Sequence, residues 1–354
     1  MFVDHHPVPH ASISAPVLKH HHRENKGLLW PWKKSEQQPE NDVERRALGA
    51  YLGLAVGDAL GATVEFMMPN EIRARHGVHN TLCGGGWLHL KPGQVTDDTA
   101  MALVLGEAIL AHNGQVIPHV VAEAFDQWMR SKPVDIGDTV RRGIVQFRLH
   151  QTTEMPLDDW GGGNGACMRT LPIALITYGR ADADMVAASR IQAHITHHNH
   201  HSDAGTECVN RMVQLALAGK DIPEIVGGPV QTLIQTCPEF HFRRKRPLSN
   251  PSGYIVDTLR TVFEGFFGTD HFEDCLVNVV NRGGDADTTG AIAGMIAGAY
   301  YGPEGIPSRW LKRLDPTTHQ ACRSQALSLI RMAVARPVLS DCPTQIETTL
   351  GLVV

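Results

Sequence analysis

The stretch Gly49-Ala50-Tyr51-Leu52-Gly53-Leu54-Ala55-Val56-Gly57-Asp58-Ala59-Leu60-Gly61 places glycine at every fourth position of an otherwise apolar run. Four residues is close to one helical turn, so these glycines share one face of a helix. An interior helical glycine costs up to about 1 kcal/mol relative to alanine, and four of them need an offsetting gain. Close approach of another backbone supplies it, as small residues at this spacing do where helices pack tightly. The same period returns at Gly290, Gly294, Gly298 and Gly302. The two ladders are therefore candidate packing partners. They are not membrane spans, because neither apolar stretch reaches the roughly 18 to 20 residues needed.

Helical patterning continues outward from this pair. Residues 99–111 are apolar nearly all round, which predicts a buried helix. Val209, Met212, Val213 and Ala216 form an i, i+3, i+4, i+7 face that stops at Gly219. Residues 257–267 and 324–335 behave similarly. Strand-like alternation is scarce, and no strand–glycine loop–helix unit of the dinucleotide-binding kind stands out. The pattern predicts an all-α protein with one large domain over residues 44–354. Residues 1–43, rich in His and Pro, lack the composition to form a core of their own. They read as an arm, extended or disordered unless a partner binds. Trp30 and Trp32 in this polar setting also suit a docking segment.

Composition narrows the class. Hydrophobic residues make up 42% and charged residues 19%, which suits a globular protein with a sizeable core. A net charge of -5 gives no general attraction to nucleic acid or anionic lipid. The basic run Arg243-Arg244-Lys245-Arg246 lies between Pro238 and Pro247 and reads as a solvated loop. Seven scattered cysteines, with no Cys-x-x-Cys pair, argue against a disulfide framework. Without a visible secretory signal, a reducing cytoplasmic setting is the expectation.

The chemistry concentrates in two segments with one grammar. Gly93-Gln94-Val95-Thr96-Asp97-Asp98-Thr99 and Gly283-Gly284-Asp285-Ala286-Asp287-Thr288-Thr289 each lead into an apolar helix. N-capping explains one acid per helix, at about 1 kcal/mol each. It explains paired acids poorly, since neighbouring carboxylates before a buried helix repel and resist desolvation. Hard divalent cations take carboxylate and hydroxyl oxygens, and four carboxylates balance two such ions. Asp58 and Glu65 add further oxygen donors, although Asp58 equally suits the capping of a neighbouring helix. Gly161-Gly162-Gly163-Asn164-Gly165 is a glycine-rich loop of the kind whose amides cradle phosphate. His197-His198-Asn199-His200-His201 lacks the spacing of a zinc site, and a single histidine lining a pocket fits it better.

Taken together, these motifs resemble the ADP-ribosylglycohydrolase family. The matching pieces are Gly57-Asp58-Ala59-Leu60-Gly61 with Glu65, Thr96-Asp97-Asp98-Thr99, Gly163-Asn164-Gly165 with Met168-Arg169, His197, and Arg282 through Thr288. The resemblance covers residues 45–305 and implies a single large orthogonal helical domain with a central metal cleft. It implies that Thr96, Asp97, Asp98, Asp285, Asp287 and Thr288 ligate two divalent cations, Mg²⁺ or Mn²⁺. Asp97, Asp98 and Glu65 are the candidate catalytic carboxylates. Gly163, Asn164, Gly165 and His197 would contact ADP-ribose. The implied activity is hydrolysis of the N-glycosidic bond joining ADP-ribose to a modified protein side chain, arginine first. An alternative, also from the family, is an immunity protein that blocks an ADP-ribosylating toxin through residues 1–43. No nucleic-acid or membrane partner is expected.

Overall fold

The computed structural model describes residues 38–243 and 245–335. The arm through residue 37, and with it Trp30 and Trp32, lies outside the described residues, as do residues 336–354. The first helix, α1 (Asp42–Gly61), begins just inside the segment read as arm. Asn41 caps it, its side-chain oxygen accepting from the Glu44 amide. Arg331 then donates to the Gln38 carbonyl and to the Glu40 and Glu44 carboxylates, fixing this entry against the last described helix.

The chain continues through α2 (Pro69–His76), α3 (Asp97–Ala111), α4 (Pro118–Arg130) and α5 (Asp138–His150). Next come α6 (Leu171–Ile176), α7 (Asp182–His194) and α8 (His200–Leu217). The short α9 (Ile222–Ile225) and α10 (Gln231–Thr236) flank a π-helical turn at Val226–Val230. Finally α11 (Ile255–Phe267), α12 (Phe272–Val280), α13 (Ala286–Tyr301), α14 (Ser308–Arg313) and α15 (Pro316–Ala335) complete the described fold. No strand is present among the described residues, which hold only isolated bridges at Gly85–Leu90 and Gly163–Tyr254.

The centre is the pair α1 and α13. The glycine ladders face each other antiparallel: Gly49 meets Gly298, Gly53 meets Gly294, and Gly57 meets Gly290. A Cβ on any of these glycines would come within 2.0 to 2.5 Å of the facing carbonyl oxygen, well inside van der Waals contact. The backbones therefore approach closely enough that only glycine fits. Helices α3, α8 and α15 also pack against α1, which is buried from Ala47 onward. That enclosure explains why α1 and α13 are apolar all round rather than striped.

The ladder decides where the functional loops meet. Gly61, at the end of α1, lies against the Ala286 carbonyl at the start of α13. The chain beyond α1 is then zipped to the segment before α13, Phe66 N–H donating to the Gly284 carbonyl and Gly284 N–H to Met67. Gly283 and Gly284 both have positive φ and sit against the Met67 and Pro251 carbonyls, so this turn admits no side chain.

Candidate active site

Two helix starts and the turn that follows one helix end converge on a cleft of about 660 Å³. Glu65 comes from the turn after α1, Asp97 from the start of α3, and Asp285, Asp287 and Thr288 from the start of α13. Gly163, Asn164, Gly165 and His197 line the opposite wall. Thr96 and Asp98 are buried behind the cleft, each about 1% exposed. All the candidate residues from the sequence thus gather in one region.

Asp58 ties α1 to α3. Its carboxylate accepts from the Thr96 amide at 2.9 Å, the Thr96 hydroxyl at 2.9 Å, the Thr99 amide at 3.1 Å and the Thr99 hydroxyl at 2.6 Å. It therefore caps α3 from a neighbouring helix, supplying the acceptor that the Thr96 side chain does not provide for its own helix. Asp97 and Asp98 are left free of capping duty. Asp97 accepts a long bond from the Gly137 amide at 3.3 Å. One Asp98 oxygen takes a 3.2 Å bond from the Thr96 hydroxyl, and the other is buried with no protein partner.

The second acidic segment is arranged likewise. Asn164 donates its side-chain amide to Asp285 at 2.5 Å and to the Thr258 hydroxyl at 2.9 Å. Asp287 accepts from the Thr288 amide at 2.9 Å. Donor oxygens of Glu65, Asp135 and Asp287 lie within 4.8 Å of one another. Burial, then repulsion among Asp58, Asp97, Asp285 and Glu65, holds the Asp98 carboxyl well above its usual range. Burial and the carboxylates of Glu65, Asp98, Asp285 and Asp58 do the same to Asp287. Glu65 is also raised, chiefly by burial, even though Trp87 donates its indole N–H to it at 2.6 Å. A bound cation would offset this repulsion. The donor set is hard oxygen throughout, and the unpartnered Asp98 oxygen gives an ion a ligand that nothing else uses, so these residues fit a divalent metal.

The opposite wall is built around His197. Its ring packs under the glycine loop, where a Cβ on Gly165 would come within 2.7 Å of the ring and one on Gly163 within 3.0 Å. The loop amides of Asn164, Cys167 and Met168 bond to backbone carbonyls. Those amides are therefore not available to cradle a phosphate, the role the sequence suggests for them, and the glycines serve contact with the histidine. Buried Arg169 donates to the Thr196 hydroxyl at 2.8 Å, and that hydroxyl lies 2.8 Å from His197 Nδ1. Arg169 can only donate, and Nδ1 is the acceptor beside that hydroxyl among the described residues, so the hydroxyl proton goes to Nδ1 and the imidazole proton resides on Nε2, the nitrogen facing the loop. Burial, and then the nearby Arg169, pushes His197 down to about 3, which keeps the ring neutral.

Asp135 is the main residue the sequence reading missed. It lies in the α4–α5 connection, lines the cleft, and is raised above its usual range by burial and by Asp285. A signal was present: Asp135-Ile136-Gly137-Asp138-Thr139 repeats the glycine, acid and threonine grammar at the start of α5. Trp87 and Thr258, which hold Glu65 and Asn164, carried no comparable pattern.

The family model ADP-ribosylglycohydrolase matches residues 39–338, a span that holds both acidic segments and the glycine-packed helix pair. The chain belongs to the ADP-ribosylglycohydrolase family, and it is accordingly a hydrolase. It is 47% identical over 291 residues to an ADP-ribosyl-[dinitrogen reductase] glycohydrolase of Rhodospirillum rubrum, covering 82% of this chain and 97% of that one. It is 32% identical over 298 residues to an ADP-ribosylarginine hydrolase of Serratia proteamaculans, covering 78% and 77% respectively. A solved chain of an ADP-ribosylglycohydrolase-related protein complex superimposes with a TM-score of 0.72 at 32% identity, covering 82% of this chain and 99% of that one. No helix among the described residues is long and apolar enough to cross a membrane.

Proposed function

We propose that this chain removes ADP-ribose from a modified protein by hydrolysing the N-glycosidic bond between ribose C1 and an arginine side chain. The observation that carries this reading is the meeting of both acidic segments with Glu65 and Asp135 at one cleft, where a buried Asp98 oxygen has no protein partner. The names of the Rhodospirillum and Serratia relatives support the reaction and the arginine linkage.

In this reading Thr96, Asp97, Asp98, Asp285, Asp287 and Thr288 hold two divalent cations, Mg²⁺ or Mn²⁺, with Asp135 beside them. When bound, such ions orient hydroxyl groups and make water more acidic. The protein's own groups supply the rest. Asn164 spends its amide on Asp285 and Thr258, so it positions Asp285 and offers substrate only its oxygen. His197, neutral with its proton on Nε2, donates to a hydroxyl or phosphate oxygen of ADP-ribose. Cleavage passes through an oxocarbenium-like state and needs a carboxylate to take the proton of the attacking water. Glu65, Asp97 and Asp98 are the candidates for that role. The guanidine leaves with a proton returned to its nitrogen. The alternative of a toxin-blocking arm rests on residues 1–43, of which 38–43 are described, and no described contact favours it.

The test is release of ADP-ribose from an arginine-modified protein, with a serine-modified protein in parallel. Release from the arginine substrate with Mg²⁺ or Mn²⁺, and its loss with chelator or in Asp98→Ala, is the expected result. Full activity of Asp98→Ala, or turnover of the serine substrate alone, overturns the proposal.

A further inference from the structure

Away from the acidic cleft, a second group of ligating side chains lies where α2 ends. Donor atoms of His76, His79 and Cys83 fall within 4.8 Å of one another. His79 is 1% exposed and its ring is tied on one side, Nε2 lying 2.8 Å from the Leu60 carbonyl oxygen. A carbonyl only accepts, so the proton sits on Nε2 and Nδ1 is a bare lone pair. That Nδ1 is buried and has no hydrogen-bond partner. A buried polar atom without a partner is costly and rare.

The arrangement matches how proteins prepare a histidine ligand: one ring nitrogen donates to a backbone carbonyl, which fixes the tautomer and aims the other. The backbone around His79 is fixed as well. Its N–H donates to the Asn281 side chain at 2.8 Å, and Asn281 returns a bond to its carbonyl at 2.8 Å. His76 and Cys83 are exposed, so they give an ion a way in and can adjust onto it.

We propose that His76, His79 and Cys83 form a binding site for a thiophilic divalent cation of the Zn²⁺ class, separate from the acidic centre. One thiolate and two imidazoles select a borderline-soft ion, whereas the carboxylates and hydroxyls of the cleft select a hard one. Three protein ligands leave a fourth position for water. Cys83 lies four residues before Trp87, whose indole holds Glu65. An ion at this site would tie the end of α2 to the segment that reaches into the active site.

Co²⁺ is the probe, because its bond to thiolate gives a charge-transfer absorption that nitrogen and oxygen ligands do not. This matters because residues 1–37 are rich in histidine and would take up metal without that signal. The full chain, reduced and held in excess Mg²⁺, is titrated with Co²⁺. The expected result is a thiolate band that Zn²⁺ abolishes and excess Mg²⁺ does not. The band should be absent in Cys83→Ser, and at least roughly tenfold more Co²⁺ should be needed in His76→Ala. Both substitutions are at exposed positions, and circular dichroism checks that the fold is kept. No band in the wild type, a band that survives in Cys83→Ser, or an unchanged titration in His76→Ala overturns the proposal.

Discussion

Asp98 is buried, repelled by its neighbours, and left with one unpartnered oxygen. Such a residue is bad for the metal-free fold and useful only once a cation is bound, a common trade at active sites. Replacing it by asparagine should therefore move two measurements in opposite directions. Activity should fall by at least about 10- to 100-fold, the cost of losing even an outer-shell partner of a bound metal. The melting temperature of the chelated protein should rise, and a fall there would contradict the account. His197 makes a second prediction at this scale. Its folded value near 3 lies below the roughly 6.5 of an unfolded histidine, so as pH falls the unfolded state takes up the proton first. The contribution is complete above about pH 6.5 and is lost steadily below it, at about 1.4 kcal/mol per pH unit. Denaturation of the metal-loaded protein between pH 7.5 and about 5 should show this slope, and His197→Gln should remove it. Among single residues, those in doubled motifs such as Asp97-Asp98 and Asp285-Ala286-Asp287 were legible in the sequence. Asp135 was harder to read, because it stands three residues from Asp138 and each acid alone is what capping produces.

For the helices, the test concerns α1 and α13. In a solvent-facing helix, alanine for glycine gains up to about 1 kcal/mol. At Gly53 the added carbon meets the Gly294 carbonyl, and the clash should outweigh that gain, with a net loss of about 1–3 kcal/mol. Gly227, in the π-helical turn, has nothing within 4 Å of an added Cβ. Gly227→Ala should leave the urea midpoint unchanged or raise it, by up to about 1 kcal/mol in stability. Equal effects at the two sites would mean that the ladder is not a packing device. The four-residue period made this pairing readable because close packing leaves a mark in composition. The capping of α3 by Asp58 was readable only as one option, since the acceptor and its helix are 38 residues apart. Nothing in a single sequence says which helix such an acid will cap.

Taken whole, the protein is a helical assembly held against an acidic centre. An ion that binds only the folded state stabilises it by mass action, by about 2.7 kcal/mol when present at 100 times its dissociation constant. Chelation should therefore lower the melting temperature, and Mg²⁺ or Mn²⁺ should restore it in wild type but much less in Asp98→Asn. A melting temperature indifferent to chelator would argue against a resident cation. The all-helical class was legible because periodicity runs through most of the chain. How the two walls of the cleft meet was not, since it depends on long-range bonds such as Asn164 to Asp285.

The antiparallel ladder also works as a ruler. Each glycine faces one particular carbonyl, so sliding α13 along α1 by a single residue would drive a side chain into backbone. Permitted offsets are then steps of four residues, each about 6 Å, and a displacement that large would take Asp287 out of reach of Glu65. The spacing of two carboxylates at one end of the molecule is thereby set by glycines spread along the length of both helices. Substitutions far from any substrate, at Gly49 or Gly298, should consequently appear among the variants that abolish turnover.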